Sequence, residues 1–293
     1  MRITSRNVNW IRAVINKWFE EWIKKDNPDI LCIQEPKAFE HQIPVELKFI
    51  MKDYNYIRHS GIKPWYAGTA IFYKNNLEIL DTKNHFGDLE HFHEDGRVVE
   101  IKFSFCSHCE EHSDVAILEE KNNDKIASHS SQWQQTFTLL NLYFPNWWTK
   151  ADGTEMLSYK LEFYEKFIHY INTLKLNWEN VITTWDFNIC HKEIDIARPE
   201  ENKNSIWFLS VERAELDKLQ ANGYVDVFRH FNPDLKDKYT RRSYRAWARP
   251  RNVWRRLDYF RVSENILPLV SKIEHQEQVM WSDHCPISLE LNF

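Results

Sequence analysis

Carboxylates, amides, a phenol and an imidazole recur in this chain where apolar runs end. They are Asn7 and Asn9, Glu35, Tyr143, Asp186 with Asn188, Asp258, and the pair Asp283-His284. Oxygen donors of this kind, with no clustered cysteines among them, suit a hard divalent cation such as Mg²⁺. Such an ion neutralises phosphate charge and generates a hydroxide nucleophile. A histidine beside an aspartate can be held as a general base or a phosphate partner. Singly, each residue has a plainer reading. An Asp at a strand end is ordinarily a cap, Tyr143 a core-edge aromatic, and "SDHCP" (282–286) a turn. Asp258 is harder to dismiss, because it lies inside an apolar strand and a buried charge is costly without a partner. Spacing alone does not bring these residues together.

The elements that must position them alternate along the chain. "DILCIQE" (29–35), "TAIFY" (69–73), "VVEIKFSF" (98–105), "FTLLNLYFPN" (137–146), "NVITT" (180–184), "RLDYFRV" (256–262) and "PISLEL" (286–291) read as strands. Helical spacing runs through Ile11, Val14, Ile15, Trp18, Trp22 and Ile23, and again through Leu157, Leu161, Tyr164, Phe167, Ile168, Ile171 and Leu174. A further helix over 211–221 ends near Asn222-Gly223. The reading is one α/β domain over 1–293, with functional residues at strand ends and a polar, exposed insertion at 106–135. Within that insertion, Cys106, His108, Cys109 and His112 are soft donors too cramped for an ordinary zinc site. No apolar run approaches the roughly 18 residues of a membrane span. Five cysteines, an odd count, suit a reducing cytoplasm. The net charge of −5 does not advertise nucleic-acid binding, although distribution matters more than the sum.

Several segments, taken in order, resemble the exonuclease III family of AP endonucleases, within the endonuclease/exonuclease/phosphatase superfamily. They are "NVN" (7–9), "PDILCIQEPK" (28–37), "YAGTAIFYK" (66–74), "DGRVVEI" (95–101), "LNLYFPN" (140–146), "DGTEMLSYKLEFYEKF" (152–167), "DFNI" (186–189), "GYVDVFRHFNP" (223–233), "RNV" (251–253), "RLDYF" (256–260) and "SDHCP" (282–286). The resemblance implies a four-layered, DNase I-like α/β sandwich: two packed, mainly antiparallel sheets flanked by helices. It implies a monomer acting on double-stranded DNA with abasic or 3′-blocked ends. The reaction would be Mg²⁺-dependent cleavage 5′ to an abasic site, with Mn²⁺ able to substitute, and 3′–5′ exonuclease and 3′-phosphodiesterase activity beside it. Carried over by motif, the metal region comprises Glu35, Asn7, Asp186, Asn188, Asp283 and His284. Asp186 activates water and Asn188 holds the phosphate. His284, oriented by Asp258, contacts the scissile phosphate. Tyr143 donates to developing charge, Asn146 to the phosphate, and Asn9 lies in the metal region. The alternatives are another phosphodiesterase of the same fold and a DNA-binding relative without catalysis.

The departures from the family run in two directions. Tryptophan stands for glycine at 10, 18, 65, 147, 148, 178, 185, 207, 247, 254 and 281, and arginine stands for tryptophan at 6, 241, 242 and 255, with Arg261 a less supported fifth. This pattern fits a gene translated with the wrong genetic code, with UGA and some CGN codons misassigned. The chain has 6 glycines and 13 tryptophans in 293 residues; restoring glycine at those positions brings it to about 6%, near the usual ~7%. Trp22 reads as a true tryptophan. Trp185 is expected at a tight turn that calls for glycine, and Arg6 on a buried strand that leaves it needing a partner. Taken literally, "YTRRSYRAWARPRNVWRR" (239–256) is instead a basic, aromatic DNA-binding loop.

Overall fold

The computed structural model describes the whole chain except residues 16–17, 64, 87–89, 107–133, 147–155, 243–253, 280 and 293. Twelve strands and eight α-helices lie in the described residues. The strands are β1 (Arg2–Asn7), β2 (Ile30–Gln34), β3 (Tyr54–His59), β4 (Thr69–Lys74), β5 (Glu78–Lys83) and β6 (Val98–Cys106), then β7 (Gln134–Tyr143), β8 (Asn180–Asp186), β9 (Tyr224–Asp226), β10 (Asp258–Ser263), β11 (Val270–His275) and β12 (Ile287–Leu291). The helices are α1 (Ile11–Ile15), α2 (Phe19–Asp26), α3 (Val45–Ile50), α4 (Glu90–His93), α5 (Met156–Leu176), α6 (Pro199–Asn202), α7 (Ser210–Ala221) and α8 (Val227–Phe231).

The strands form two six-stranded sheets, ordered β11-β12-β1-β2-β4-β3 and β5-β6-β7-β8-β10-β9. Each sheet is antiparallel but for one central parallel pair, β1 with β2 and β7 with β8. Side chains alternate across a strand, and the two faces read differently. Ile3, Ile30, Cys32, Leu139, Ile182, Phe260 and Ile287 fill the layer between the sheets. Leu31 and Ile33 face outward onto α1 and α2, while Leu140, Val181 and Tyr259 face α5 and α7. The four-layered sandwich is therefore the one the sequence implied. The same alternation puts Asn7, Tyr143, Asp186 and Asp258 on the inner faces at one rim. Register completes the convergence, since Asp186 lies opposite both Tyr143 and Asp258. Below the rim, Gln34 Nε2 donates to Ser5 Oγ (2.9 Å) and Asn141 Oδ1 (2.6 Å), and Asn141 Nδ2 donates to Ile33 O and Ala70 O. These polar stitches fix the two sheets relative to each other.

Among the described tryptophans, Trp10 (φ 108°), Trp18 (67°), Trp65 (62°), Trp178 (59°) and Trp207 (129°) occupy left-handed backbone. A bulky residue there is a genuine outlier, and glycine is the residue that region favours. Trp18 also corrects the helical stripe read from sequence. It sits 69% exposed between α1 and α2, where the helix breaks. Trp22 matches its reading as a true tryptophan, being buried with its indole N–H donated to Gln276 Oε1 at 2.7 Å.

Trp185 differs from expectation. It lies within β8 rather than at a turn, 1% exposed, with its ring edge-on to Phe144, Phe167 and Phe187. Its indole nitrogen has no hydrogen-bond partner among the described residues. Trp254 and Trp281 also lack left-handed backbone. The basic-loop reading fails for the arginines that can be placed. Arg256 is fully buried against Asp195 and Asp226. Arg242 pairs with Glu277 and covers the Trp254 ring, Arg241 pairs with Asp283, and Arg255 lies 3.9 Å from the Trp207 ring centre. Arg6 is buried 4.1 Å over the Trp281 ring and donates to His284 O. Trp147, Trp148, Trp247 and, save the backbone of Cys106, the Cys/His cluster lie outside the described residues. The insertion expected at 106–135 is bounded more narrowly, because β6 runs through Cys106 and β7 starts at Gln134. No described helix is long and apolar enough to cross a membrane.

Candidate active site

Three rim loops turn by the same local device, a side chain two residues back accepting a backbone N–H. Asn9 N–H donates to Asn7 Oδ1 (2.9 Å), Asn188 N–H to Asp186 Oδ1 (2.9 Å), and His284 N–H to Ser282 Oγ (3.2 Å). Asn9 and Asn188 adopt φ of 44° and 53°, a conformation asparagine tolerates. Glu35 and Lys37 are left-handed too. Non-glycine residues in that region mark stored strain, which collects at functional sites.

The side chains then join in one network. Asn7 Nδ2 bridges Glu35 Oε1 (2.8 Å) and Asp186 Oδ2 (3.0 Å). Asn9 Nδ2 donates to Asp283 Oδ1 (3.1 Å). His284 Nδ1 donates to Asp258 Oδ2 at 2.8 Å, while its Nε2 stands 3.7 Å from Asp186 Oδ2, too long for a hydrogen bond. The Tyr143 hydroxyl accepts from Asn146 Nδ2 (3.3 Å) and lies close enough to Glu35 for each to act on the other's proton affinity. Asn188 Nδ2 donates to Phe144 O (3.1 Å). Asn7, Asn9, Glu35, Asp186, Asn188, Asp258, Asp283 and His284 join in this network, and Tyr143 and Asn146 form a pair at its edge.

Sequence reasoning assigned none of three cations to this site, and Arg241 was read only as a displaced tryptophan or as part of the basic loop. Lys37 Nζ bonds Asn9 Oδ1 (2.7 Å) and pairs with Glu35 Oε2 (2.5 Å). Arg241 Nε lies 3.4 Å from Asp283 Oδ2. Arg97, fully buried, donates to Tyr143 O and to the Tyr66 hydroxyl, pairs with Asp95, and fixes the approach to Tyr143. The signal for Arg97 was a charged residue directly before an apolar strand.

Charge is crowded at the rim. Burial pushes the Asp186 carboxyl up to about 7; the His284 charge opposes this, and those of Asp258 and Glu35 add to it. Burial works against a charged His284 imidazole, but Asp258 and Asp186 outweigh it and raise its pKa to about 9. Burial alone would raise Glu35; the charge of Lys37 and hydrogen bonds from Asn7, Lys37 and Tyr143 bring it below the ordinary value. Burial, then Glu35 and Asp186, hold the Tyr143 phenol well above 10, so it stays a donor. The carboxylates of Glu35, Asp186 and Asp283 are hard oxygen donors of the kind a divalent cation takes, and the Asn7 amide turns its Nδ2 to Glu35 and Asp186 and its Oδ1 to the Asn9 N–H. The tightest acid–histidine group is Asp186, Asp258 and His284, whose ligand atoms lie within 4.8 Å.

Comparison with known proteins gives the family and the fold. Residues 7–284 match the endonuclease/exonuclease/phosphatase family. The chain is 33% identical to the exodeoxyribonuclease of Bacillus subtilis over 294 residues, covering 100% of both. It is 31% identical to a DNA-(apurinic or apyrimidinic site) endonuclease of Dictyostelium discoideum, covering 99% of this chain and 70% of the relative. Its fold superposes on an AP endonuclease from Archaeoglobus fulgidus with a TM-score of 0.77 at 24% identity, covering 100% of each.

Proposed function

The chain belongs to the endonuclease/exonuclease/phosphatase family, and from that premise we propose that it is a metal-dependent DNA repair nuclease that cuts the phosphodiester 5′ to abasic sites. The proposed ion is Mg²⁺, with Mn²⁺ able to substitute. The observation that carries the reading is the pairing of Asp186 with an Asp258-held His284, with the Asn7 amide bridging Asp186 to Glu35. Glu35, Asn7 and Asp283 would hold the ion, which when bound supplies charge neutralisation at the phosphate and a more acidic water.

The side chains supply the rest. Asp186, raised toward neutrality, takes the proton of the attacking water. His284 is held as an imidazolium by Asp258, and it donates through Nε2 to a phosphate oxygen. Tyr143 keeps its proton and donates to the charge that develops in the transition state. Asn188 and Asn146 position the phosphate, and Asn9 steadies Asp283. The water oxygen bonds to phosphorus as the bond to the 3′ oxygen breaks; that oxygen takes a proton from solvent water, leaving a 3′ hydroxyl and a 5′ phosphate. The same end chemistry accounts for 3′–5′ exonuclease and 3′-phosphodiesterase activity on blocked ends. The reading includes a monomer in the cytoplasm, supported by Cys32, Cys190 and Cys285, which are free and buried.

The test is single-turnover incision of a duplex carrying one abasic site. Asp186→Asn is expected to lower the rate roughly 10²- to 10⁴-fold with substrate affinity retained. A rate within tenfold of the parent would remove Asp186 from the role of base.

A further inference from the structure

Behind the site, the 186–190 loop is held from below by side chains of remote elements. Three consecutive carbonyls each meet a buried donor. Phe187 O accepts from the Tyr164 hydroxyl (2.7 Å), Asn188 O from Lys160 Nζ (2.8 Å), and Ile189 O lies 2.9 Å from the Tyr259 hydroxyl. The Tyr259 hydroxyl, whose one proton is shared between Ile189 O and Arg256 O (3.0 Å), also accepts the His191 N–H at 3.1 Å. Tyr164 and Lys160 stand one turn apart on α5, and Tyr259 comes from β10.

Lys160 is the informative member. It is 0% exposed on the apolar face of α5, beside Phe163, Tyr164 and Phe167. A lysine there is costly unless its charge is answered. Glu212, also 0% exposed, answers it at 2.7 Å. The second oxygen of Glu212 accepts the backbone N–H groups of Trp207 (2.8 Å) and Leu209 (3.1 Å), which fixes the start of α7. A buried pair of this kind adds little net stability over well-packed apolar residues. What it does supply is a charged donor aimed at the backbone of Asn188, a residue held at φ 53°.

We propose that Lys160, Tyr164 and Tyr259 form a clamp on the catalytic loop that sets the positions of Asp186 and Asn188 in the reaction. They are positioning residues, and the proposal rests on the functional reading above. The loop is buried and makes no strand ladder of its own beyond Asp186. Without these donors its carbonyls would lose their partners, and the loop would relax away from the geometry that Asn188 and Asp186 require.

Two variants test this against a merely structural role. Tyr164→Phe deletes one hydroxyl and keeps the ring. The double variant Lys160→Met/Glu212→Gln removes both charges together, so that no buried ion is left alone. On an abasic duplex, the clamp predicts a kcat loss of roughly 3- to 10-fold for the first and 30- to 100-fold for the second, with KM changed less than about twofold. Hydrogen exchange gives a readout independent of activity. The amides of Phe187, Asn188, Cys190 and His191 should exchange about tenfold faster in the variants while those of β7 do not change. Variants that fold with kcat and loop exchange within about twofold of the parent overturn the clamp. If the double variant does not melt cooperatively, Tyr164→Phe alone decides by the same criteria. If the parent itself fails to incise, the functional reading has failed, and the exchange comparison still judges the clamp.

Discussion

Trp178 isolates the cost of tryptophan in a left-handed turn. It follows α5, is 92% exposed, has φ 59°, and makes a turn bond from its N–H to Lys175 O. Holding a non-glycine residue there costs about 1–2 kcal/mol. Glycine returns about 0.5–1 kcal/mol through the freedom of the unfolded chain. Almost no buried area is lost at 92% exposure. Trp178→Gly should therefore stabilise by about 0.5–1 kcal/mol, a rise of roughly 1–3 °C in Tm for a chain of this size. The gain should be larger at Trp10 and Trp207, whose φ of 108° and 129° lie deeper in glycine territory. Restoring glycine at 10, 18, 65, 178 and 207 together should add about 3–5 kcal/mol and roughly 6–12 °C. The opposite control is Trp22→Gly, which empties a buried site and leaves Gln276 without its donor; it should cost about 3–5 kcal/mol. Thermal melts of the six single variants and the fivefold variant make the comparison. A fall in Tm for Trp178→Gly, or a fivefold variant no more stable than the parent, would refute the reasoning.

Other outcomes follow from the site and its supports. His284 is raised from 6.5 to about 9, so its contribution to stability is whole below about 6.5 and is lost as pH climbs through 9. Asp186, raised from 3.8 to about 7, has the same sign, with its loss running from acid to neutral pH. Metal-free protein should therefore show a Tm that declines from pH 6.5 to 9.5, and Asp258→Asn should flatten that decline while reducing incision. Arg256→Met leaves Asp226 buried without its ion pair and Asp195 with Arg229 alone; urea melts should show a loss of about 3–5 kcal/mol.

The central strands were legible because they are apolar on both faces, with helices on one side and the other sheet opposite. β3, β5, β9 and β11 were missed, and these four are the sheet edges. Edge strands carry charge against mispairing, as "EILDTK" and "VSKIEH" do, which erases the alternation a sequence reading depends on. The reacting groups came through their motifs, and the alternation of β1, β7, β8 and β10 explains why motifs so distant in sequence meet. The cations around them did not. Lys37 and Arg97 each pair with a carboxylate two residues away, Glu35 and Asp95, but they and Lys160 gain meaning from partners remote in sequence: Asn9, Tyr143 and Glu212. Trp185 shows the reverse error. Its placement beside Asp186 suggested a turn, but the strand continues through both, and the residue faces the α5 layer.

The most direct test of the account is mapping of the cut on a duplex with one abasic site, with and without a chelator, for the parent and for Glu35→Gln. A single incision 5′ to the lesion, leaving a 3′ hydroxyl, abolished by chelation and severely weakened by Glu35→Gln, is the predicted result. Incision that persists in chelator, or that Glu35→Gln leaves unchanged, would contradict it.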